Sequence, residues 1–163
     1  MTVRVVCPGS FDPMHVGHLD VFTRAAERFG EVVAAVVDNP NKRAMFSLDE
    51  RMAFIEAETA GLGNVRAVPF RGLLVDFCAE HEIGVICKGV RGVNDLEYEL
   101  QMAQMNQRIG GVETLFMSTS PEYSYLSSSL IKEVAKGGGT ITGTVPDNVE
   151  AAVRRRLEES ASS

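Results

Sequence analysis

Residues 7–18 hold the side chains best suited to chemistry in this sequence. They follow the apolar run of residues 3–6 and precede a segment with helical periodicity, so we predict a turn between a first strand and a first helix. In an α/β protein such a turn faces the ligand. Its two histidines, His15 and His18, could bind a metal ion or an anion. A metal site is disfavoured because no third ligand lies nearby and His81 belongs to a separate predicted helix.

Five apolar runs alternate with helical segments along the chain. The strands are predicted at residues 3–6, 32–37, 64–68, 85–87 and 114–117, and the helices at residues 17–29, 47–59, 73–82, 94–109, 130–136 and from 146 onward. This order predicts a single Rossmann-like, doubly wound α/β domain, with a five-stranded parallel sheet and helices on both faces. We expect residues 1–163 to form that one domain, with residues 159–163 as a frayed tail.

Ligands of such sheets bind at the carboxyl ends of the strands, so four loops are expected to face one crevice. These loops are residues 10–18, 39–43, 88–91 and 120–129. Together they carry two lysines, two arginines, two histidines and several hydroxyl groups, a set that suits a polyphosphate. Neither the P-loop motif nor the glycine fingerprint of dinucleotide-binding proteins is present, so the phosphates must be held in another way.

The predicted helix 94–109 has two apolar stripes where a surface helix needs only one. One stripe contains Leu96, Leu100 and Ala103, and the other contains Tyr98, Met102, Met105 and Ile109. The second stripe is expected to cover a ligand pocket or a partner subunit. The sequence leaves open how its residues divide between these two roles.

Composition narrows the class of protein. The net charge of -6 argues against a nucleic-acid binder. No window approaches the roughly 18 apolar residues of a membrane span, and no secretory signal is visible, so we expect a cytoplasmic protein without membrane contact. The cysteines Cys7, Cys78 and Cys87 are widely spaced and are expected to be buried free thiols.

Two motifs resemble signatures of the nucleotidyltransferase superfamily. Gly9-Ser10-Phe11-Asp12-Pro13 followed by His15-x-Gly17-His18 is similar to the T/H-x-G-H signature, and Ser127-Ser128-Ser129 before a helix is similar to the second signature. Three further stretches resemble phosphopantetheine adenylyltransferases of the bacterial type. They are Lys88-Gly89-Val90-Arg91, residues 95–101 with Met105-Asn106, and residues 127–135.

His15 departs from that family, which usually has threonine there, whereas nicotinate-mononucleotide adenylyltransferases usually have histidine. The exchange His15→Thr is therefore expected to be tolerated. Two alternatives stay open: an adenylyltransferase that acts on nicotinate mononucleotide, and a non-catalytic nucleotide-binding sensor.

The resemblance implies an enzyme of coenzyme A biosynthesis. Such enzymes transfer AMP from ATP to 4'-phosphopantetheine by direct in-line attack, and form dephospho-coenzyme A and pyrophosphate. The resemblance also implies Mg²⁺ bound with ATP, a homohexamer, and coenzyme A as a feedback ligand.

The resemblance further implies residue roles. His18, Lys42 and Arg91 would be catalytic, with His18 donating to the α-phosphate. The acceptor would be bound by Ser10, Lys42, Leu74, Lys88, Tyr98, Met105 and Asn106. ATP would be bound by Ser10, Phe11, His18, Gly89, Val90, Arg91, Glu99, Tyr123, Ser124, Tyr125, Leu126, Ser127, Ser128 and Ser129.

Overall fold

Strands and helices alternate along the chain in a computed structural model that describes residues 3–162. The strands are Arg4–Gly9 (β1), Glu31–Val37 (β2), Val65–Phe70 (β3), Val85–Val90 (β4) and Glu113–Ser118 (β5). The helices are Val16–Ala26 (α1), Leu48–Thr59 (α2), Leu74–Glu80 (α3), Val93–Gly110 (α4), Ser128–Lys136 (α5) and Asp147–Ala161 (α6), with short 3₁₀ turns at Ala60–Leu62 and Pro121–Tyr123.

The five strands form one parallel sheet in the order β3-β2-β1-β4-β5. The order reverses between β1 and β4, where the chain crosses from one half of the sheet to the other. Between these two strands only Val5 with Val85 and Val6 with Ile86 are paired, whereas β1 and β2 are paired along the whole of β1. The carboxyl ends of β1 and β4 therefore separate, and the crevice expected at such a switch point begins there.

Apolar side chains on the two faces of the sheet form two clusters. Val5 and Val32 belong to one cluster, and their neighbours Val6 and Val33 belong to the other, because successive side chains of a strand point to opposite faces. Residues of α1, α2, α5 and α6 complete the first cluster, and residues of α3 complete the second. Helices thus cover both faces, which confirms the predicted doubly wound architecture.

The start of α2 follows the sequence prediction. Ser47 accepts a hydrogen bond from the Glu50 N–H at 3.2 Å, and the Glu50 carboxylate accepts one from the Ser47 N–H at 2.8 Å. The next turn of α2 presents Arg51, which is only 5% exposed. Arg51 Nη1 donates to the carbonyl oxygens of Ser10 at 2.8 Å and Val37 at 3.0 Å. One guanidinium therefore joins the ends of β1 and β2 to α2.

Several predicted boundaries are corrected. Residues 7–9 were expected in the first turn, but they continue β1 because they pair with residues 34–36 of β2. Lys88, Gly89 and Val90 were expected in a loop, but they continue β4 because they pair with residues 116–118 of β5. Helix α6 extends to Ala161, so residues 159–161 are helical and the predicted tail is shorter. Ser163, the last residue of that expected tail, lies outside the described residues.

The thiols of Cys7, Cys78 and Cys87 are free and buried, as predicted. Among residues 3–162, no helix combines the length and the apolar character needed to cross a membrane.

Helix α4 differs from the other helices, because none of its side chains is buried. Large apolar residues of both predicted stripes are exposed in the single chain. They are Leu96, Tyr98, Leu100, Met102, Met105 and Ile109. Only the second stripe was expected to face a pocket or a partner subunit, but residues of the first stripe are exposed as well.

Candidate active site

The two histidines of the first turn stack on each other at the start of α1, with ring centroids 3.6 Å apart. His15 caps the helix: its Nδ1 accepts from the N–H groups of Gly17 at 3.1 Å and His18 at 3.3 Å. His18 Nδ1 in turn accepts from the His15 N–H at 3.1 Å. Because Nδ1 is an acceptor in both rings, each neutral imidazole carries its proton on Nε2.

Phe11 also packs against the His18 ring. The two rings meet edge to face with centroids 4.9 Å apart, and Phe11 also packs against Phe22 of α1. The Phe11 backbone has a φ of 49°, in the left-handed region that non-glycine residues rarely adopt. This unfavourable conformation turns the Phe11 ring inward, where it limits the orientations open to His18.

Burial keeps both imidazoles neutral. It lowers the pKa of His15 from 6.5 to about 4, with a smaller contribution from the Arg91 charge. The pKa of His18 lies well below its usual range because of burial first, and then of His15, Arg91 and Lys88. At neutral pH, His18 is therefore an uncharged donor through Nε2.

We predict that His15 makes the protein sensitive to acid. Between pH 6.5 and about 4, the unfolded chain binds a proton at residue 15 that the folded protein excludes, so the free energy of unfolding decreases as the pH falls. The contribution is roughly 3 kcal/mol. Urea unfolding at pH 7 and pH 4 should show a smaller loss for His15→Thr, which retains a capping oxygen. Equal losses for the two proteins would contradict the prediction.

Asp12 connects three elements of the site and is only 6% exposed. Its carboxylate accepts from the N–H groups of Met45 and Phe46, both at 2.9 Å, and pairs with Lys132 Nζ at 3.1 Å. Asp12 therefore holds the turn that carries His18 to the loop before α2 and to α5.

The serine run also meets this turn. Ser127 is the N-cap of α5, and its hydroxyl accepts from the Leu130 N–H at 3.1 Å. The Ser128 hydroxyl donates to the Pro13 carbonyl at 2.8 Å. The positive end of a helix dipole is thereby placed beside the His18 turn, where it favours an anion.

A cavity of about 290 Å³, here called the central cavity, lies where β1 and β4 separate. It is lined by nine of the residues predicted to bind ATP: Phe11, His18, Gly89, Arg91, Glu99, Tyr123, Leu126, Ser127 and Ser128. Gly89 is needed there because a Cβ atom would lie 2.9 Å from Val21 Cγ2. The close neighbour of Gly89 is thus a side chain of α1.

The other residues predicted for ATP lie outside this cavity. Ser124 lines a shallower depression beside Arg91, and Ser10 and Ser129 line cavities described below. Val90 and Tyr125 line none of these four cavities of the described chain. Their roles stay predictions.

The cations of the central cavity are held by neighbouring groups. Arg91 pairs with Asp95 at 2.8 Å and donates to the Leu126 carbonyl at 2.6 Å. The hydrogen bond that the Asp95 carboxylate accepts from Arg91 holds the pKa of the Asp95 carboxyl below its usual range. Lys88 pairs with Glu99 at 3.0 Å. Both guanidinium and ammonium groups are thereby fixed before any ligand arrives.

A second cavity of about 210 Å³, here called the α4 cavity, adjoins the first one. It contains five of the residues predicted to bind the acceptor: Ser10, Leu74, Lys88, Tyr98 and Asn106. The two cavities share Pro8, Gly9, Lys88 and Glu99. The Lys88–Glu99 ion pair therefore stands at their boundary.

Two residues predicted for the acceptor lie elsewhere. Met105 is 53% exposed and lies outside the α4 cavity, although Tyr98 and Met102 of the same stripe line it. Lys42 is exposed and lines a small third site, here called the lysine cavity, with Ser10, Arg51, Ser129 and Lys132. Ser10, which is predicted to bind the acceptor, lines both the α4 cavity and the lysine cavity.

Several lining residues were not predicted. Cys7 and Cys87 lie side by side in the central cavity, where a hydrogen bond to Cys87 raises the pKa of Cys7. Asp95 and Thr119 also line that cavity, and Met102 and Thr114 line the α4 cavity. Three of them gave a signal: Thr119 follows a predicted strand at its carboxyl end, Met102 belongs to the stripe expected to cover a pocket, and Asp95 lies in a stretch that resembles the family. The others depend on contacts between distant parts of the chain.

The comparisons with known proteins agree on one superfamily. Residues 6–134 match the model of the cytidylyltransferase-like family. The chain is 54% identical over 154 residues to a phosphopantetheine adenylyltransferase of Streptomyces coelicolor, covering 94% of this chain and 97% of that protein.

Two solved structures share the fold. A Vibrio parahaemolyticus protein described as a nicotinate-nucleotide adenylyltransferase superposes with a TM-score of 0.66 at 15% identity, covering 94% of this chain and 99% of that one. A lipopolysaccharide core biosynthesis protein of Thermoplasma volcanium gives a TM-score of 0.55 at 23% identity, covering 74% and 98%. At these identities the likeness concerns the fold alone.

Proposed function

The chain belongs to the phosphopantetheine adenylyltransferase family, and from that premise we propose that ATP occupies the central cavity and 4'-phosphopantetheine the α4 cavity. The enzyme transfers AMP from ATP to 4'-phosphopantetheine, and produces dephospho-coenzyme A and pyrophosphate. The observation that carries the assignment of sites is the boundary that the two cavities share, at Pro8, Gly9, Lys88 and Glu99. A direct transfer between two substrates needs two sites that adjoin at the reacting atoms.

The acceptor phosphate is itself the nucleophile in this proposal. An oxygen of that phosphate attacks the α-phosphorus of ATP, and the bond from this phosphorus to the bridging oxygen of pyrophosphate breaks. The protein therefore contributes placement of two anions and stabilisation of charge. His18 Nε2–H donates to a non-bridging oxygen of the α-phosphate, where negative charge increases in the transition state.

The leaving pyrophosphate requires separate stabilisation. Arg91 lies in the central cavity, fixed by Asp95 and the Leu126 carbonyl. The N-terminus of α5 contributes its unpaired N–H groups from the other side. These two elements support the assignment of the β- and γ-phosphates to this end of the cavity.

The acceptor phosphate lies between Ser10, Lys42 and Lys88 in the proposal. Lys88 is at the boundary of the two cavities, and Lys42 approaches Ser10 from the lysine cavity. Lys42 is exposed on its loop, so it can move toward the phosphate after binding. The ion pair with Glu99 supports a fixed Lys88. The exposure of Lys42 supports a movable side chain there.

Mg²⁺ is proposed to enter with ATP, whose charge it neutralises when bound. Among residues 3–162, no group of three or more His, Cys, Asp or Glu side chains could hold a metal ion. Asp95 and Glu99 of the central cavity are already paired with cations. These residues suit an ion carried by phosphate oxygens and water, which is how Mg²⁺ usually binds beside nucleotides.

Three finer expectations come from the family. We propose a homohexamer, feedback binding of coenzyme A, and a cytoplasmic location. The exposed apolar residues of α4 support assembly into an oligomer, since such a surface is unfavourable in water. Mass measurement of the protein in solution tests the hexamer.

An acceptor-dependent assay tests the function. Purified protein with ATP and Mg²⁺ should release pyrophosphate when 4'-phosphopantetheine is added, and not when nicotinate mononucleotide is added. Release with nicotinate mononucleotide instead would favour the alternative acceptor. ATP binding without pyrophosphate release from either acceptor would identify a nucleotide sensor.

A further inference from the structure

Thr114 carries the single buried side-chain nitrogen or oxygen, among the described residues, that has no hydrogen-bond partner. Its hydroxyl oxygen lies on β5, where Thr114 pairs with Ile86 of β4. A buried hydroxyl without a partner is unfavourable, and valine has nearly the same shape without that penalty. The fold without a ligand therefore does not explain why a hydroxyl group is present at this position.

The position of Thr114 suggests that explanation, because the residue lines the α4 cavity. The neighbouring surface of the cavity is apolar and includes Leu74, Ile86 and Met102. The Thr114 oxygen itself is buried. A rotation about the Cα–Cβ bond to the next staggered position moves the hydroxyl to the place that the methyl group holds, so a second orientation is open to the oxygen when a ligand binds.

The sheet register gives the distance from the phosphate site. Lys88 and Ile86 are two residues apart on β4, and Thr114 is the partner of Ile86 on the neighbouring strand. The Thr114 backbone thus lies about 7 Å from that of Lys88 along the strand direction, and one strand to the side, and both residues line the α4 cavity. In 4'-phosphopantetheine, the first amide lies about 7 Å from the phosphorus at ordinary bond lengths.

We propose that Thr114 is a specificity residue whose hydroxyl forms a hydrogen bond with the first amide of the acceptor arm. The inference rests on the proposed function, since it places the acceptor phosphate at Lys88. A hydroxyl group can donate to the amide carbonyl or accept from the amide N–H, so it suits either orientation of the amide. An acceptor without an amide at this distance leaves the hydroxyl unpaired and is disfavoured.

The variant Thr114→Val tests the proposal, with Thr114→Ser as its matched control. Titration calorimetry with 4'-phosphopantetheine should show Kd raised about fivefold to tenfold for Thr114→Val, the loss typical of one neutral hydrogen bond. Thr114→Ser keeps the hydroxyl and should remain within about twofold of the wild type. The Kd of ATP should be unchanged in both variants.

Thermal unfolding of the free protein is a second measurement, and its result would differ if Thr114 had only a structural role. The Tm of Thr114→Val should equal or exceed that of the wild type, because no hydrogen bond of the fold is lost. Unchanged acceptor affinity in Thr114→Val, or a lower Tm, would overturn the proposal. So would an equal loss of affinity in Thr114→Ser.

The wild-type assay separates this proposal from the proposed function. A wild type that releases no pyrophosphate with 4'-phosphopantetheine rejects the function. An active wild type with a Thr114→Val variant that binds the acceptor equally well rejects only the role of Thr114.

Discussion

The variant His18→Ala is expected to lower kcat by about 10² to 10³ while the affinity for ATP changes little, which corresponds to the loss of one transition-state donor. The reason lies in the geometry of the ring. The His15 N–H fixes His18 Nδ1 as an acceptor at 3.1 Å, so that the proton is on Nε2. Phe11 and His15 both pack against the ring. Steady-state kinetics and ATP titration measure the two quantities separately.

His15→Thr is the control for that experiment. Threonine at residue 15 can accept from the same helix N–H groups, so kcat should stay within a few-fold of the wild type. Near-normal turnover of His18→Ala would falsify the catalytic role of His18. Equal losses in both variants would mean that the stacked pair acts through the helix start and not through donation.

The variant Arg51→Met is expected to lower the free energy of unfolding by about 2 kcal/mol, because it leaves two partly buried carbonyl oxygens without their donor. The guanidinium of Arg51 donates to the carbonyl oxygens of Ser10, the first residue after β1, and Val37, the last residue of β2. Methionine keeps the apolar stem but offers no N–H group. Urea unfolding measures the change, and KM for 4'-phosphopantetheine should rise as the Ser10 loop loosens.

Arg154→Met is the matched control. Arg154 is an exposed arginine of α6 whose ion pair with Glu150 lies at the surface. Its loss should change stability by less than about 1 kcal/mol. Similar stability changes for Arg51→Met and Arg154→Met would show that the carbonyl contacts of Arg51 contribute little.

The predictable part of the site consists of groups whose partners are close in sequence. The Ser47–Glu50 capping box joins residues three positions apart. Such contacts form whenever the helix starts, so spacing alone indicates them.

The unpredicted part consists of contacts across the chain. Arg51 reaches Ser10 across 41 positions, and Lys132 reaches Asp12 across 120. Sequence spacing gives no sign of such pairs, because they exist only after the sheet and its helices have packed. Arg51 reads in the sequence as one more charged residue of α2, yet it is almost completely buried.

Helix α4 shows the same limit of prediction from the sequence. Its periodicity predicted two apolar stripes, but the sequence does not say which stripe meets the cavity. The tertiary structure places Tyr98, Met102 and Asn106 at the cavity and leaves Met105 outside it, although Met105 lies on the same stripe as Tyr98 and Met102.

The sequence by itself determined the alternation of strands and helices, the parallel sheet, and the motifs around His18 and the serine run. These depend on local periodicity and capping, which act over a few residues. Only the tertiary structure decided that Lys88 pairs with Glu99 at the boundary of two cavities, that Lys42 approaches from a third, and that the Thr114 hydroxyl has no partner. Those facts depend on the separation of β1 from β4 and on the packing of α4, which bring together residues far apart in the chain.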